Sequence, residues 1–259
     1  MLKHITIKSI KKGIVNEIIE SFYNDTNIKV YINDYLEIMF ICLDNDLEPL
    51  VRGYLSNIKK DFIQNIVVEK NSIFVQVSLK KDEFLNLLKD REVIQTCESI
   101  TLTDNLMDNK RNKDKVIIPF NNSRRNIHIN DLLESCRDFY NFDCSDSYLC
   151  RSKIVFLGNN GEFLNIVESY DINPKNAVYK AIGLAKTKRD ELLDSIIFIN
   201  FRLDVEILKK IILSKITFIV FIEKPSFAVL RFAQKFGLTL SQYIPTEEMR
   251  ILTHSTRIN

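Results

Sequence analysis

The chain has 259 residues, 46% of them hydrophobic, enough to bury a sizeable core in one large domain or two smaller ones. A formal net charge of +2 gives no reason to expect a nucleic-acid partner. No apolar run of about 18 residues is present, so no membrane span is expected.

The first residues alternate lysine with apolar side chains and lack the continuous apolar stretch of a secretory signal. With no signal, the five cysteines (Cys42, Cys97, Cys136, Cys144 and Cys150) are expected as reduced thiols in the cytoplasm.

Residues 1–91 predict a small α+β domain. Residues 29–42 form two strands around an Asn33-Asp34 turn. Residues 44–58 turn helical, with N-cap chemistry from Asp44 to Asp46 and with Leu47, Leu50, Val51, Tyr54 and Leu55 at helical spacing. Residues 66–69 and 72–79 pair around Lys70-Asn71, and 81–90 is a short amphipathic helix.

Residues 92–126 have little periodicity and many polar side chains. Between Asn109 and Arg125 they carry Lys110, Arg111, Lys113, Lys115, Arg124 and Arg125 against Asp114 alone. This composition predicts a mobile basic linker. It is either solvated chain without a task or an arm that draws in an anionic partner.

Residues 127–259 alternate strands and helices. Residues 129–142 form a helix with Leu132, Leu133, Cys136, Phe139 and Tyr140 on one face, and 153–157 pairs with 163–170 around Gly158-Asn159-Asn160-Gly161. Helices are predicted over 177–187 and 205–214. The apolar runs 195–201 and 216–222 read as strands buried on both faces. Pro225 is expected at the first position of the next helix, and Gly237 ends it. The alternation predicts a central sheet with parallel neighbours and helices on both faces.

Residues 170–183, YDINPKNAVYKAIG, keep Asp171, Asn176, Ala177, Lys180 and Gly183 at the spacing of Glu-Asp-Val-Gly-Arg-His-Asn-Ala-x-Asp-Lys-x-x-Gly. Asn200, Phe201, Arg202 and Glu206 resemble Ser-Gly-Arg-x-x-x-Glu. Pro225-Ser226 and the run 237–240 resemble Ala-Pro-Thr followed by Gly-Leu-Thr-Leu. The run from Cys42 to Leu55 resembles Cys-Thr-Pro-x-Asp-Leu-Glu-x-Leu-x-x-Gly-Phe-Leu. Together these motifs resemble those of the formate dehydrogenase accessory sulfurtransferases, the FdhD family, over most of the chain.

The resemblance implies an α/β fold: a C-terminal three-layer α/β/α domain (127–259) similar to cytidine deaminases, beside the smaller N-terminal α+β domain. The zinc motifs of those deaminases, His/Cys-x-Glu and Pro-Cys-x-x-Cys, are absent from the sequence. The spacing of Cys136, Cys144 and Cys150 fits no common zinc ligand set, so no metal of the protein's own is expected.

The resemblance further implies a sulfur carrier that takes sulfur from a cysteine desulfurase and passes it to the molybdenum cofactor for formate dehydrogenase. Cys97 matches the first cysteine of the family's Thr-x-x-Cys-Gly-x-Cys-Gly, while Ile100 takes the place of the second. Cys97 is therefore the expected persulfide carrier. The cofactor, in guanine dinucleotide form, is expected against Tyr243, Ile244, Pro245, Thr246, Glu247 and Glu248, with Arg202 nearby. Glu247-Glu248 stand where the family has Gly-Arg, and Arg250 could supply the positive charge. The resemblance also implies a homodimer. The alternative is a diverged, non-catalytic protein that binds the cofactor or a formate dehydrogenase subunit.

Overall fold

The computed structural model describes residues 2–12, 14–92, 127–141, 149–246 and 248–258; the side chains at 88–92 and 165 are not described. The proposed linker, 92–126, with Cys97, therefore lies almost entirely outside the described residues.

The chain opens with a feature that the sequence did not predict. Strands β1 (Leu2–Lys11) and β2 (Ile14–Tyr23) form an antiparallel ribbon, paired in register from Leu2↔Tyr23 to Lys11↔Ile14. Its lysines and glutamates interrupt any simple apolar alternation, which hid both strands from a period-2 reading.

A second sheet has the order β4-β3-β6-β5 and is built from β3 (Thr26–Ile32), β4 (Leu36–Cys42), β5 (Ile63–Glu69) and β6 (Ser72–Val77). Both predicted turns are present. Asn33 and Lys70 take left-handed conformations, with φ of 43° and 42°. Asn33 is held further, since its side chain donates to the Val77 carbonyl at 2.9 Å and accepts from the Val77 amide at 3.0 Å.

The inner face of this sheet, with Ile28, Val30, Ile32, Phe40, Ile73, Val75 and Val77, packs on Leu50, Val51 and Leu55 around helix α1 (Leu47–Tyr54). Asp46 precedes α1 but does not cap it. Its backbone is left-handed, at φ 50°. Its carboxylate accepts instead from Asn45 Nδ2 at 3.0 Å and from Ser169 Oγ at 2.7 Å. Helix α2 (Lys81–Glu92) closes this part.

The third sheet has the order β12-β11-β10-β9-β7-β8. Its strands are β7 (Cys150–Leu157), β8 (Phe163–Asp171), β9 (Ser195–Ile199), β10 (Phe218–Phe221), β11 (Thr239–Ile244) and β12 (Glu248–Thr253). Strands β9, β10 and β11 are parallel neighbours, as expected, while β7 and β12 pair antiparallel. Alternate residues of each strand face opposite layers. Ile197, Ile199, Ile219, Phe221 and Leu240 pack on helices α4 (Pro174–Lys188), α5 (Val205–Leu213) and α6 (Phe227–Lys235). Ile196, Phe198, Phe218, Val220 and Tyr243 pack on α3 (Ile129–Tyr140). Helices thus cover both faces.

Two helix starts differ from expectation. Helix α4 begins at Pro174, three residues early, because Asn173 caps it by accepting from the Lys175 amide at 2.9 Å. Helix α6 begins after Ser226, whose hydroxyl accepts from the Val229 amide; Pro225 precedes the cap instead of occupying the first helical position. A side-chain cap satisfies an amide that proline could only omit. Gly237 ends α6 at φ 68°, as expected.

Candidate functional site

The signature residues of 170–183 converge, but on a buried tie between the two halves of the chain. Asn176, Lys180 and Gly183 recur at intervals of four and three, so one helical face carries all three. Lys180 Nζ lies 2.7 Å from Asp171 Oδ2, 2.8 Å from Asn45 Oδ1 and 3.1 Å from the Leu43 carbonyl. Asp171 also accepts from the amides of Leu43 and Asn173, at 3.2 and 2.9 Å, and from Asn176 Nδ2 at 3.4 Å. Asn176 Nδ2 also donates to the Ile41 carbonyl at 2.9 Å. Both charges are therefore neutralised and hydrogen-bonded, which is the condition for burying them.

Glycines allow the close approach that this tie needs. A Cβ on Gly183 would overlap the Pro49 carbonyl, and one on Gly53 would overlap the Tyr179 carbonyl. Helices α1 and α4 thus cross backbone to backbone. Lys210 Nζ donates to the Tyr54 carbonyl at 2.8 Å, placing a cation at the C-terminal end of α1, where the helix dipole favours it.

A second assembly lies at the edge of the six-stranded sheet where β8, β9, β10 and β11 end. Ile199, Phe221 and Gln242 are in register across three strands. The segments that follow bring Arg202, Glu223, Lys224, Pro245 and Thr246 to this one edge. Helices α4, α5 and α6 begin there too, capped by Asn173, Asp204 and Ser226. In open α/β sheets this edge is where ligands bind, and helix N-termini favour anions.

Each predicted site residue has a definite place. Tyr243 is buried, its ring stacked on Tyr140 at 5.3 Å, and the Tyr140 hydroxyl donates to the Ile199 carbonyl at 2.9 Å. Ile244 ends β11 half-buried, and Pro245 and Thr246 form an exposed turn, shorter than a loop, leading into β12. Glu248 is exposed and bound by Arg250, Nε to Oε1 at 2.6 Å and Nη2 to Oε2 at 3.2 Å; this contact holds its carboxyl below the usual range. Glu247 and Cys97 lie outside the described residues. Arg202 is exposed and makes no hydrogen bond or ion pair among the described residues. Glu206, which follows it in the resembling motif, pairs with Lys175, joining the first turns of α4 and α5.

The described thiols are poor nucleophiles. Burial, reinforced by Asp171, pushes Cys42 up to about 12 despite the opposing effect of Lys180. Burial also pushes Cys136 to about 12 and Cys150 to about 11, the last with help from Asp171 and Glu223. Cys150 lies at the edge described above and donates to the Ile172 carbonyl across 3.8 Å. A thiol that stays protonated near neutral pH neither attacks a persulfide nor binds a metal readily. Among the described residues, no group of three or more His, Cys, Asp or Glu side chains is arranged to hold a metal ion. No helix among them is long and apolar enough to cross a membrane.

The model of the FdhD/NarQ family matches residues 23–259, every element described above except the first ribbon. The chain belongs to the FdhD/NarQ family. Among its relatives, the sulfur carrier protein FdhD of Wolinella succinogenes is 24% identical over 246 residues, covering 91% of this chain and 81% of that one. Its fold is similar to the crystal structure of a protein assigned as a formate dehydrogenase accessory protein from Desulfotalea psychrophila. That match has a TM-score of 0.73 at 19% identity and covers 100% of this chain and 99% of the other. The family signature in this chain is thus largely architecture: Asp171, Asn176, Lys180 and Gly183 hold the halves together. The spacing of the last three on one helical face could have revealed this from sequence. Nothing in sequence marked Asn45 and Asp46 as the partners across the tie.

Proposed function

We propose that this protein carries sulfur from a cysteine desulfurase to the molybdenum cofactor used by formate dehydrogenase, with Cys97 as the carrier. The observation that supports Cys97 most directly is the state of the other thiols: Cys42, Cys136 and Cys150 are all held protonated, the first two in the core. Sulfur carriage then falls to Cys97 or Cys144, and only Cys97 occupies the family's cysteine position.

In the reaction, the Cys97 thiolate attacks the outer sulfur of the desulfurase persulfide. The desulfurase thiolate leaves, and Cys97 holds the sulfur as a persulfide anion. The cationic run downstream of Cys97 favours this thiolate. The molybdenum cofactor, in guanine dinucleotide form, is the acceptor substrate. Its phosphates suit the strand-end edge, where Arg202 offers a guanidinium with no competing carboxylate among the described residues, and Arg250 already neutralises Glu248.

Incubation with a cysteine desulfurase and cysteine, followed by intact-mass measurement, tests the reading. One added sulfur is expected on wild type, removed by dithiothreitol, lost in Cys97→Ala and retained in Cys136→Ala and Cys144→Ala. Loading on Cys144 would move the site and keep the function. No loading, while a two-cysteine relative loads under the same conditions, would leave the binding-protein reading, which Ile100 at the second cysteine's place favours.

A further inference from the structure

The β1–β2 ribbon is at odds with the rest of the molecule. It precedes the part matched by the family model, pairs only with itself, and packs on no other described element. A two-stranded hairpin alone is marginally stable in water. Directly opposed residues share a face, so Ile5, Ile7, Ile14, Ile18 and Phe22 line one side, while Leu2, Ile10, Val15 and Ile19 line the other. Ile10 and Ile19 are 73% and 75% exposed. A ribbon this apolar on both sides needs a cover.

The same chain exposes a second apolar sheet surface. The inner face of the β4-β3-β6-β5 sheet packs on α1, but its outer face carries Tyr31, Met39, Ile41, Val67 and Phe74, with Tyr31 stacked on Phe74 at 5.3 Å. No helix covers that face among the described residues.

We propose that the ribbon is a dimerisation arm: its Ile5–Ile18–Phe22 face lies across the outer sheet face of a second copy, whose own ribbon returns the contact. Two different surfaces on one chain, each apolar and each a sheet, close into a twofold pair with no surface left over. Area agrees. Ten residue pairs at about 3.3 Å rise and two strands about 4.8 Å apart give a ribbon face of roughly 300 Å². Reciprocal docking on two sheet faces then buries about 1,300 Å², within the range of stable interfaces. Charge argues against the simpler pairing of ribbon edge with ribbon edge. Strand β1 carries Lys3, Lys8 and Lys11 with no acid, and β2 carries Glu17 and Glu20 with no base, so a twofold edge contact brings like charges together.

The test is the oligomeric state of the full chain by sedimentation or light scattering, with Ile18→Glu on the ribbon and Phe74→Glu on the sheet face. Both positions are exposed, so circular dichroism and the melting temperature should show each variant folded. Wild type is expected as a dimer at micromolar concentration and each single variant as a monomer. Mixed Ile18→Cys and Phe74→Cys chains are expected to form a disulfide between positions 18 and 74 of different copies. A monomeric wild type overturns the proposal, including one that binds anionic vesicles through the ribbon. So does a dimer that survives either substitution: survival of Phe74→Glu alone means ribbon–ribbon contact, and survival of both means another surface.

Discussion

Asp171 Oδ2 and Lys180 Nζ stand 2.7 Å apart, and neither side chain has any solvent exposure. The pair links the end of β8 to the second turn of α4. Through Leu43 and Asn45 it also reaches the segment between β4 and α1. Because every partner is buried, removing one charge strands the other. Lys180→Met is expected to destabilise the fold by about 3–5 kcal/mol, measured by denaturant unfolding. The double variant Asp171→Leu/Lys180→Met should recover part of that loss, since it leaves no buried charge behind. A loss within about 0.5 kcal/mol for the single variant, the range of ordinary surface substitutions, would show that the pair is not buried in solution.

The helix crossing beside this pair gives a steric prediction. Gly183→Ala places a methyl on the Pro49 carbonyl, and the obstacle is backbone, which cannot rotate away. Overpacking of this kind costs about 1–3 kcal/mol, here in a helix interior where alanine would otherwise be favoured. The melting temperature should therefore fall. A rise would mean that α1 and α4 stand further apart than described.

The sequence made these helices legible and left their tie obscure, for a physical reason. Periodicity reports which face of α4 is buried, so Ala177 and Lys180 fall on it, and turn chemistry marks Asn33 and Gly237. Neither signal says what a buried lysine faces. The answer, Leu43 and Asn45, lies more than 130 residues away in a loop with no period of its own. The ribbon was missed because its two strands bury nothing within the monomer, so the in–out alternation that betrays a strand is absent. At the candidate site, the sequence located the strand-end segments. It did not show that Tyr243 is committed to the core through Tyr140, nor that Arg250 is already engaged with Glu248.

Alkaline pH should weaken the fold. The ordinary thiol value is 9.0, whereas Cys42 and Cys136 reach about 12 and Cys150 about 11 in the folded state. Above pH 9 the unfolded chain loses these protons while the native chain keeps them, so stability falls with rising pH up to the folded values. Burial raises Tyr140 as well, which adds to the decline at higher pH. Lys153 acts the other way, because burial between Phe139 and Phe198 lowers it and unfolding then takes up a proton. Three thiols and a tyrosine outweigh one lysine. The melting temperature is therefore expected to hold from pH 7 to about 9 and drop beyond it, and to drop less steeply in Cys136→Ala. A flat profile to pH 11 would contradict the burial of these thiols.

Guanine nucleotide binding at the strand-end edge gives the last prediction. A ligand that binds only the folded state raises its melting temperature by mass action, so millimolar GDP should do so here. Arg202→Ala should reduce that shift while leaving the ligand-free melting temperature nearly unchanged, because the side chain is exposed and makes no described contact that folding depends on. Arg250→Ala should also reduce it, by a different route: Glu248 loses its counter-charge and repels the phosphates. Glu248→Gln should then strengthen binding, which separates electrostatic repulsion from loss of shape. All three effects should shrink as salt rises, since exposed charges are screened over about 8 Å at physiological ionic strength. A GDP shift that ignores Arg202 and salt would place the nucleotide elsewhere, and no shift at all would remove nucleotide binding at this edge while leaving sulfur loading on Cys97 to be judged by its own measurement.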